Sequence, residues 1–182
     1  MITNPVDFYN ALLQINDNNK PQYALLLPTD ETIYNIDLST REIQAPKYLS
    51  LHTDHYAETI YFKVDRFYDN MDLADTVCTI QYVNDGVKKL TGEADEGRMY
   101  LVPFFDITTF KAEGKMLIPW QISGEVARAP GNLTFSIRFF KLNEANEYIY
   151  SINTKPAVSK ILSGIGLNLT DTNKDNFYVP AD

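Results

Sequence analysis

Apolar and polar residues alternate with a period of two in several separate stretches of this chain. From Glu58 to Asp65, the residues Ile60, Phe62 and Val64 fall on one side, and Thr59, Tyr61, Lys63 and Asp65 on the other. That is the pattern of a strand with one buried face. Thr76 to Val83 places Cys78, Ile80 and Tyr82 together, and the Asp85-Gly86 that follows is a strong hairpin signal. Asn132 to Leu142 is the clearest strand, with Leu133, Phe135, Ile137 and Phe139 inward and Thr134, Ser136 and Arg138 outward. A turn over Asn143 to Asn146 then returns the chain as a partner strand, Glu147 to Asn153. Gln22 to Pro28 is a further short apolar run. Arg98 to Phe105 and Lys115 to Ile122 contain Pro103 and Pro119, which confines such strands to sheet edges, strand ends or bulges.

The ends of the chain depart from this period. Pro5 to Ile15 predicts a helix, with Asn4 as cap, Pro5 in the first turn, and Phe8, Leu12 and Ile15 on one face. Beyond Gly166 the sequence is polar through Asn176, then closes on Phe177-Tyr178-Val179-Pro180. About seven or eight short strands joined by turns predict an all-β fold. The expected architecture is a single antiparallel β-sandwich with a short N-terminal helix and an extended C-terminal tail. Its divisions are an arm over residues 1–20, a sandwich over 21–166 and a tail over 167–182. The expected core holds Ile60, Phe62, Val64, Cys78, Ile80, Trp120, Phe135, Ile137 and Phe139. Phe8, Leu12, Phe177 and Tyr178 sit beside polar segments, and they are the candidate partner-binding residues.

Composition narrows the function classes. Aromatic residues make up 13% of the chain, in keeping with strands. The net charge of −8 repels phosphate backbones, so no nucleic-acid partner is expected. The sole cysteine, Cys78, excludes an intrachain disulfide and predicts a reduced, buried thiol. Met1 to Pro5 lacks the basic start and apolar core of a signal peptide, and no apolar stretch approaches the ~20 residues of a membrane helix. The expectation is a soluble protein with no membrane partner.

Chemistry is sparse. The phosphate-binding glycine loop, the glycine-flanked serine elbow and the zinc-protease histidine pair are all missing from the sequence. The pair His52 and His55, near Glu58, could share a metal on a helix, but residues three apart in an extended run face opposite sides. Asp65, Asp69, Asp72 and Asp75 could hold calcium, although turn carboxylates bonding backbone amides are the favoured reading. Asp171 to Asp175 matches the start of a calcium loop, yet Asn176 stands where glycine is needed and Asp182 where glutamate is. The reading is a non-enzymatic protein without cofactor or metal. A carbohydrate-binding module is the remaining alternative from another class, with Tyr56, Tyr61, Tyr68 and Tyr100 as candidate platforms or as ordinary sheet packing.

One longer pattern is informative. It runs from Ile36-Asp37-Leu38-Ser39-Thr40-Arg41-Glu42-Ile43 through Arg66-Phe67-Tyr68-Asp69 and Thr79-Ile80-Gln81-Tyr82-Val83. It continues in Leu117-Ile118-Pro119-Trp120-Gln121-Ile122 and Pro130-Gly131-Asn132-Leu133-Thr134-Phe135, and ends at Asn153-Thr154-Lys155-Pro156-Ala157. Over about residues 33–162 this resembles a β-sandwich module of virion proteins from phages of Gram-positive bacteria. The nearest likeness is to the N-terminal domains of baseplate upper proteins. The resemblance implies a structural module, present in several copies, that attaches to a phage particle. The sequence ends soon after the module and has no long fibre or receptor-binding part, which favours a capsid decoration or head accessory protein over a tail or baseplate adaptor. The expected partners are the major capsid protein or tail and baseplate proteins, with further copies of itself. The expected location is the virion, after assembly in the host cytoplasm.

Overall fold

The computed structural model describes residues 28–102 and 114–164. Within them the strands are β1 (Ile33–Asp37), β2 (Glu42–Ile43), β3 (Ser50–Leu51), β4 (Thr59–Asp65), β5 (Phe67–Tyr68), β6 (Met71–Asp72), β7 (Val77–Asn84), β8 (Arg98–Leu101), β9 (Lys115–Gln121), β10 (Gly131–Leu142), β11 (Tyr148–Asn153) and β12 (Ala157–Leu162). One short helix, α1 (Val87–Thr91), joins β7 to β8. The predicted helix over Pro5 to Ile15, the apolar run before Pro28 and the tail beyond Gly166 lie outside the described residues.

Apart from β5 and β6, which pair only with each other, the strands form two facing sheets. The smaller has the order β2-β1-β4-β9; the larger runs β3-β12-β10-β7-β8, with β11 also on β10. The centre of the larger sheet is β10, whose twelve residues are too many for one neighbour on that side. Leu133 and its flanking residues pair with β12, whereas Arg138 to Leu142 pair with β11. Thr154 bridges the break, donating its N–H to the Ile137 carbonyl and accepting the Ile137 N–H on its hydroxyl, both at 2.8 Å. No backbone group of Ile137 is thereby left unsatisfied.

The alternation read from β4, β7 and β10 holds. All nine expected core residues are buried, and the sheets meet through aromatic contacts between Phe62, Trp120, Phe135 and Tyr82. Phe135 lies 5.8 Å from Phe62 and 5.3 Å from Trp120 between ring centroids. Pro119 lies within β9, and β9 is an edge strand of the smaller sheet. The missing N–H therefore costs no ladder bond between two neighbours. The opposite face of β4 and β9 is buried as well, at Thr59, Tyr61, Leu117 and Gln121. These alternate with the core residues, so the smaller sheet is covered on both sides there.

Two details go beyond the pattern read from the sequence. The pairing is antiparallel except at β1–β4 and β12–β3, which are parallel. Parallel neighbours need a crossover, and the chain supplies one by leaving the smaller sheet after β2, entering the larger as β3, and returning as β4. Asp85-Gly86 does not make a two-residue hairpin. Gly86 has φ −75° and begins α1, and β7 and β8 pair antiparallel across a longer connection. Glycine is needed there for a different reason: a Cβ on Gly86 would stand 2.0 Å from the Pro130 carbonyl oxygen. The tight hairpin occurs instead between β5 and β6, where Asp69 and Asn70 adopt φ of 49° and 66°. Both residue types tolerate that left-handed conformation.

Cys78 is fully buried on the core face of β7, and burial pushes its thiol well above the usual range. A thiol reagent added to the native protein should therefore label it only as fast as the protein opens, and much faster in denaturant. Rapid labelling of the folded protein would contradict this placement.

Candidate functional site

The outward row of each strand in the larger sheet can be read from its register. Thr134 of β10 faces Val83 of β7 and Val158 of β12; Ser136 faces Gln81, which in turn faces Met99 of β8. Further along, Arg138 faces Thr79, which faces Leu101, and Phe140 faces Val77. At the far edge Leu162 of β12 faces Leu51 of β3. In-register residues share a face, so these side chains form one surface opposite the core.

That surface carries several exposed apolar side chains. Met99 is 62% exposed and Val158 54%, with Leu51, Leu101 and Leu162 also exposed. Thr79, in the middle, is buried, so the exposed area falls into two patches. The first is a shallow groove of about 550 Å³ along Gln81, Val83, Met99, Thr134 and Ser136. The second is an aromatic knob at the β10–β11 hairpin. There the Arg138 guanidinium lies 4.4 Å from the centre of the Tyr148 ring and 5.5 Å from that of Phe140, and its Nε donates to the Ser151 hydroxyl at 2.9 Å. Phe140 and Tyr148 meet edge to face at 5.6 Å. Tyr148 is 57% exposed, and Ile149 beside it is exposed too. Tyrosine and arginine are both enriched among energetically dominant contact residues. Because Arg138 already holds the ring, a partner would not have to order it.

The constellations read from the sequence resolve differently. Each histidine is tied to the backbone of the 123–130 loop. His52 Nδ1 lies 3.1 Å from the Ala127 carbonyl, and His55 Nδ1 accepts the Gly124 N–H at 2.6 Å. Asp65 pairs with Lys115. Asp72 accepts two bonds from Arg66, at 3.0 and 2.9 Å, and a third from the Ala74 N–H, so it caps a turn. Asp69 makes the hairpin described above, and Asp75 is exposed. Among the described residues, no three His, Cys, Asp or Glu side chains cluster as a metal site would require.

Of the tyrosines proposed as platforms, Tyr61 is buried and Tyr68 packs against the core. Tyr56 stacks on His55 at 3.9 Å, and burial raises the Tyr100 hydroxyl well above the usual range. Among the described residues, the strongly exposed tyrosines are Tyr48 and Tyr148. The candidate partner-binding residues Phe8, Leu12, Phe177 and Tyr178, and the Asp171 to Asp175 series, lie outside the described residues.

Side-chain polarity alone hides this outward face in the sequence. In β12 both Val158 and Leu162 point outward while Ser159 is buried, its hydroxyl donating to the Pro46 carbonyl at 2.8 Å. A usable signal existed in Arg138 and Phe140, both on the outward row of β10. The chain matches no protein-family model, no curated protein and no solved structure.

Proposed function

We propose that this protein is a non-enzymatic structural component of a phage particle, a capsid decoration or head accessory protein that docks on other virion proteins. The observation that carries the docking role is the outward face of the larger sheet, with its groove beside the exposed Met99 and the Arg138–Phe140–Tyr148 knob. Large exposed apolar patches on a folded protein mark contact surfaces. The particle itself is suggested by the sequence resemblance, which runs through β4, β7, β9 and β10, the strands that build this sandwich. The chain ends, with Phe8, Leu12, Phe177 and Tyr178, are proposed as a second set of contacts.

The test is incorporation into particles. Met99→Lys, Val158→Lys and Tyr148→Ala alter exposed positions, so each should change unfolding stability by no more than about 0.5–1 kcal/mol. Combined, they should lower occupancy on assembled particles at least ~10-fold, the consequence of losing ~1.4 kcal/mol or more of contact energy. Deleting residues 168–182 should reduce occupancy further. Unchanged occupancy in the triple variant would remove the sheet face as the docking surface.

A further inference from the structure

A second concavity, sharing no residue with the docking groove, opens between the start of β1, the strap 44–49 and the start of β4. It measures about 550 Å³, well within the range of small-ligand sites. Its chemistry differs from that of the docking face. Two phenols line it: Tyr48, 52% exposed, and Tyr34, which packs partly against the core. They are close enough that Tyr48, after burial itself, adds to raising the Tyr34 hydroxyl. Glu31 and Glu58 supply carboxylates and Lys47 an ammonium group.

Thr59 also lines this concavity, and it is 1% exposed with a hydroxyl that has no hydrogen-bond partner among the described residues. A buried hydroxyl without a partner is destabilising unless something else uses it. A ligand hydroxyl that both donates and accepts would satisfy it.

We infer that the groove between Tyr34 and Tyr48, floored by Thr59, binds a neutral saccharide unit. Sugar rings combine a C–H face, which stacks on an aromatic ring, with a rim of hydroxyls that each donate and accept. Tyr48 and Tyr34 offer the aromatic surface. The carboxylates accept from hydroxyls, and Lys47 donates to them. Other ligand classes fit less well: the two carboxylates oppose an anion, and the charged rim opposes a purely apolar ligand. The inference does not depend on the particle-docking reading, because it uses different residues and a different readout.

The experiment is saturation-transfer NMR on the full chain with glucose, galactose, rhamnose, N-acetylglucosamine and β-1,4-linked N-acetylglucosamine oligomers. Binding is then titrated for the unmodified protein and three variants. At least one probe should show transfer, with a millimolar or tighter Kd. Tyr48→Ala should weaken it at least ~10-fold. Thr59→Val should weaken it several-fold while leaving thermal stability the same or higher, since the substitution removes an unpartnered hydroxyl. Tyr148→Ala, in the docking knob, should leave it unchanged. No transfer from any of these sugars, or binding that survives Tyr48→Ala at full strength, overturns the inference.

Discussion

Truncating Phe135 to alanine should lower the free energy of unfolding by ~3–5 kcal/mol, the range for emptying a large buried aromatic site. Phe135 is 1% exposed and sits where the two sheets meet, against Phe62 of one strand and Trp120 of another. Each such ring pair contributes about 0.5–1.5 kcal/mol beyond burial, and both would be lost together. Since domains of this size are stable by only ~5–15 kcal/mol, the variant should be close to unfolding at moderate temperature. Denaturant titration should show a lower midpoint with an unchanged slope. Phe140→Ala, from the same strand but the outward row, serves as the comparison and should cost far less. A Phe135→Ala loss below ~1 kcal/mol would mean that the sheets do not pack through this cluster.

Replacing Asn84 should be nearly as damaging, for a polar reason. Asn84 is fully buried at the end of β7, and its side chain makes three bonds of 2.9 Å. Its NH₂ donates to the Val126 and Ala129 carbonyls, and its oxygen accepts the Gly86 N–H. Those bonds fasten the 123–130 loop and set the close approach of Gly86 to Pro130. Asn84→Ala removes all three and strands three buried backbone groups, an expected loss of roughly 3–5 kcal/mol. Asn84→Asp should be no better, because it turns a donor toward two carbonyls into an acceptor.

The Asn84 backbone N–H donates to Asp95 at 2.8 Å, and Asp95 also pairs with Arg128. Burial alone would raise the Asp95 carboxyl. The Asn84 and Gly97 N–H groups and Arg128 outweigh it and hold the carboxyl below the usual carboxylate range. A carboxyl depressed in the folded state adds stability that is fully present above about pH 4, where the unfolded group is ionised. It is lost as pH falls through the lower folded value. Thermal unfolding from pH 7 to pH 3 should therefore show an acid loss that Asp95→Asn diminishes; an identical acid loss in Asp95→Asn would count against the role given to this carboxylate.

Much of the sandwich was legible in the sequence because apolar and polar residues alternate along its central strands. The period of two in β4, β7 and β10 names the core residue by residue, and the β10–β11 hairpin follows from Asn143 to Asn146. Legibility failed where that contrast fails. In β12 apolar Val158 and Leu162 face outward and polar Ser159 inward, which reverses the expected signs. Strands β2, β3, β5 and β6 have two residues each, too few to carry a period. At Asp85-Gly86 a strong local turn signal was overridden by a tertiary contact, the approach of Pro130 to Gly86. The groove at Tyr34 and Tyr48 could not be read at all, since Tyr34, Tyr48 and Thr59 are brought together only by the parallel β1–β4 pairing and the strap between them.

The docking account is tested most directly by electron cryo-microscopy of purified particles carrying this protein. It predicts copies of the sandwich seated on the particle shell, with Met99, Val158 and Tyr148 turned toward the neighbouring protein. Absence of the protein from purified particles, or attachment with that face turned to solvent, would contradict it.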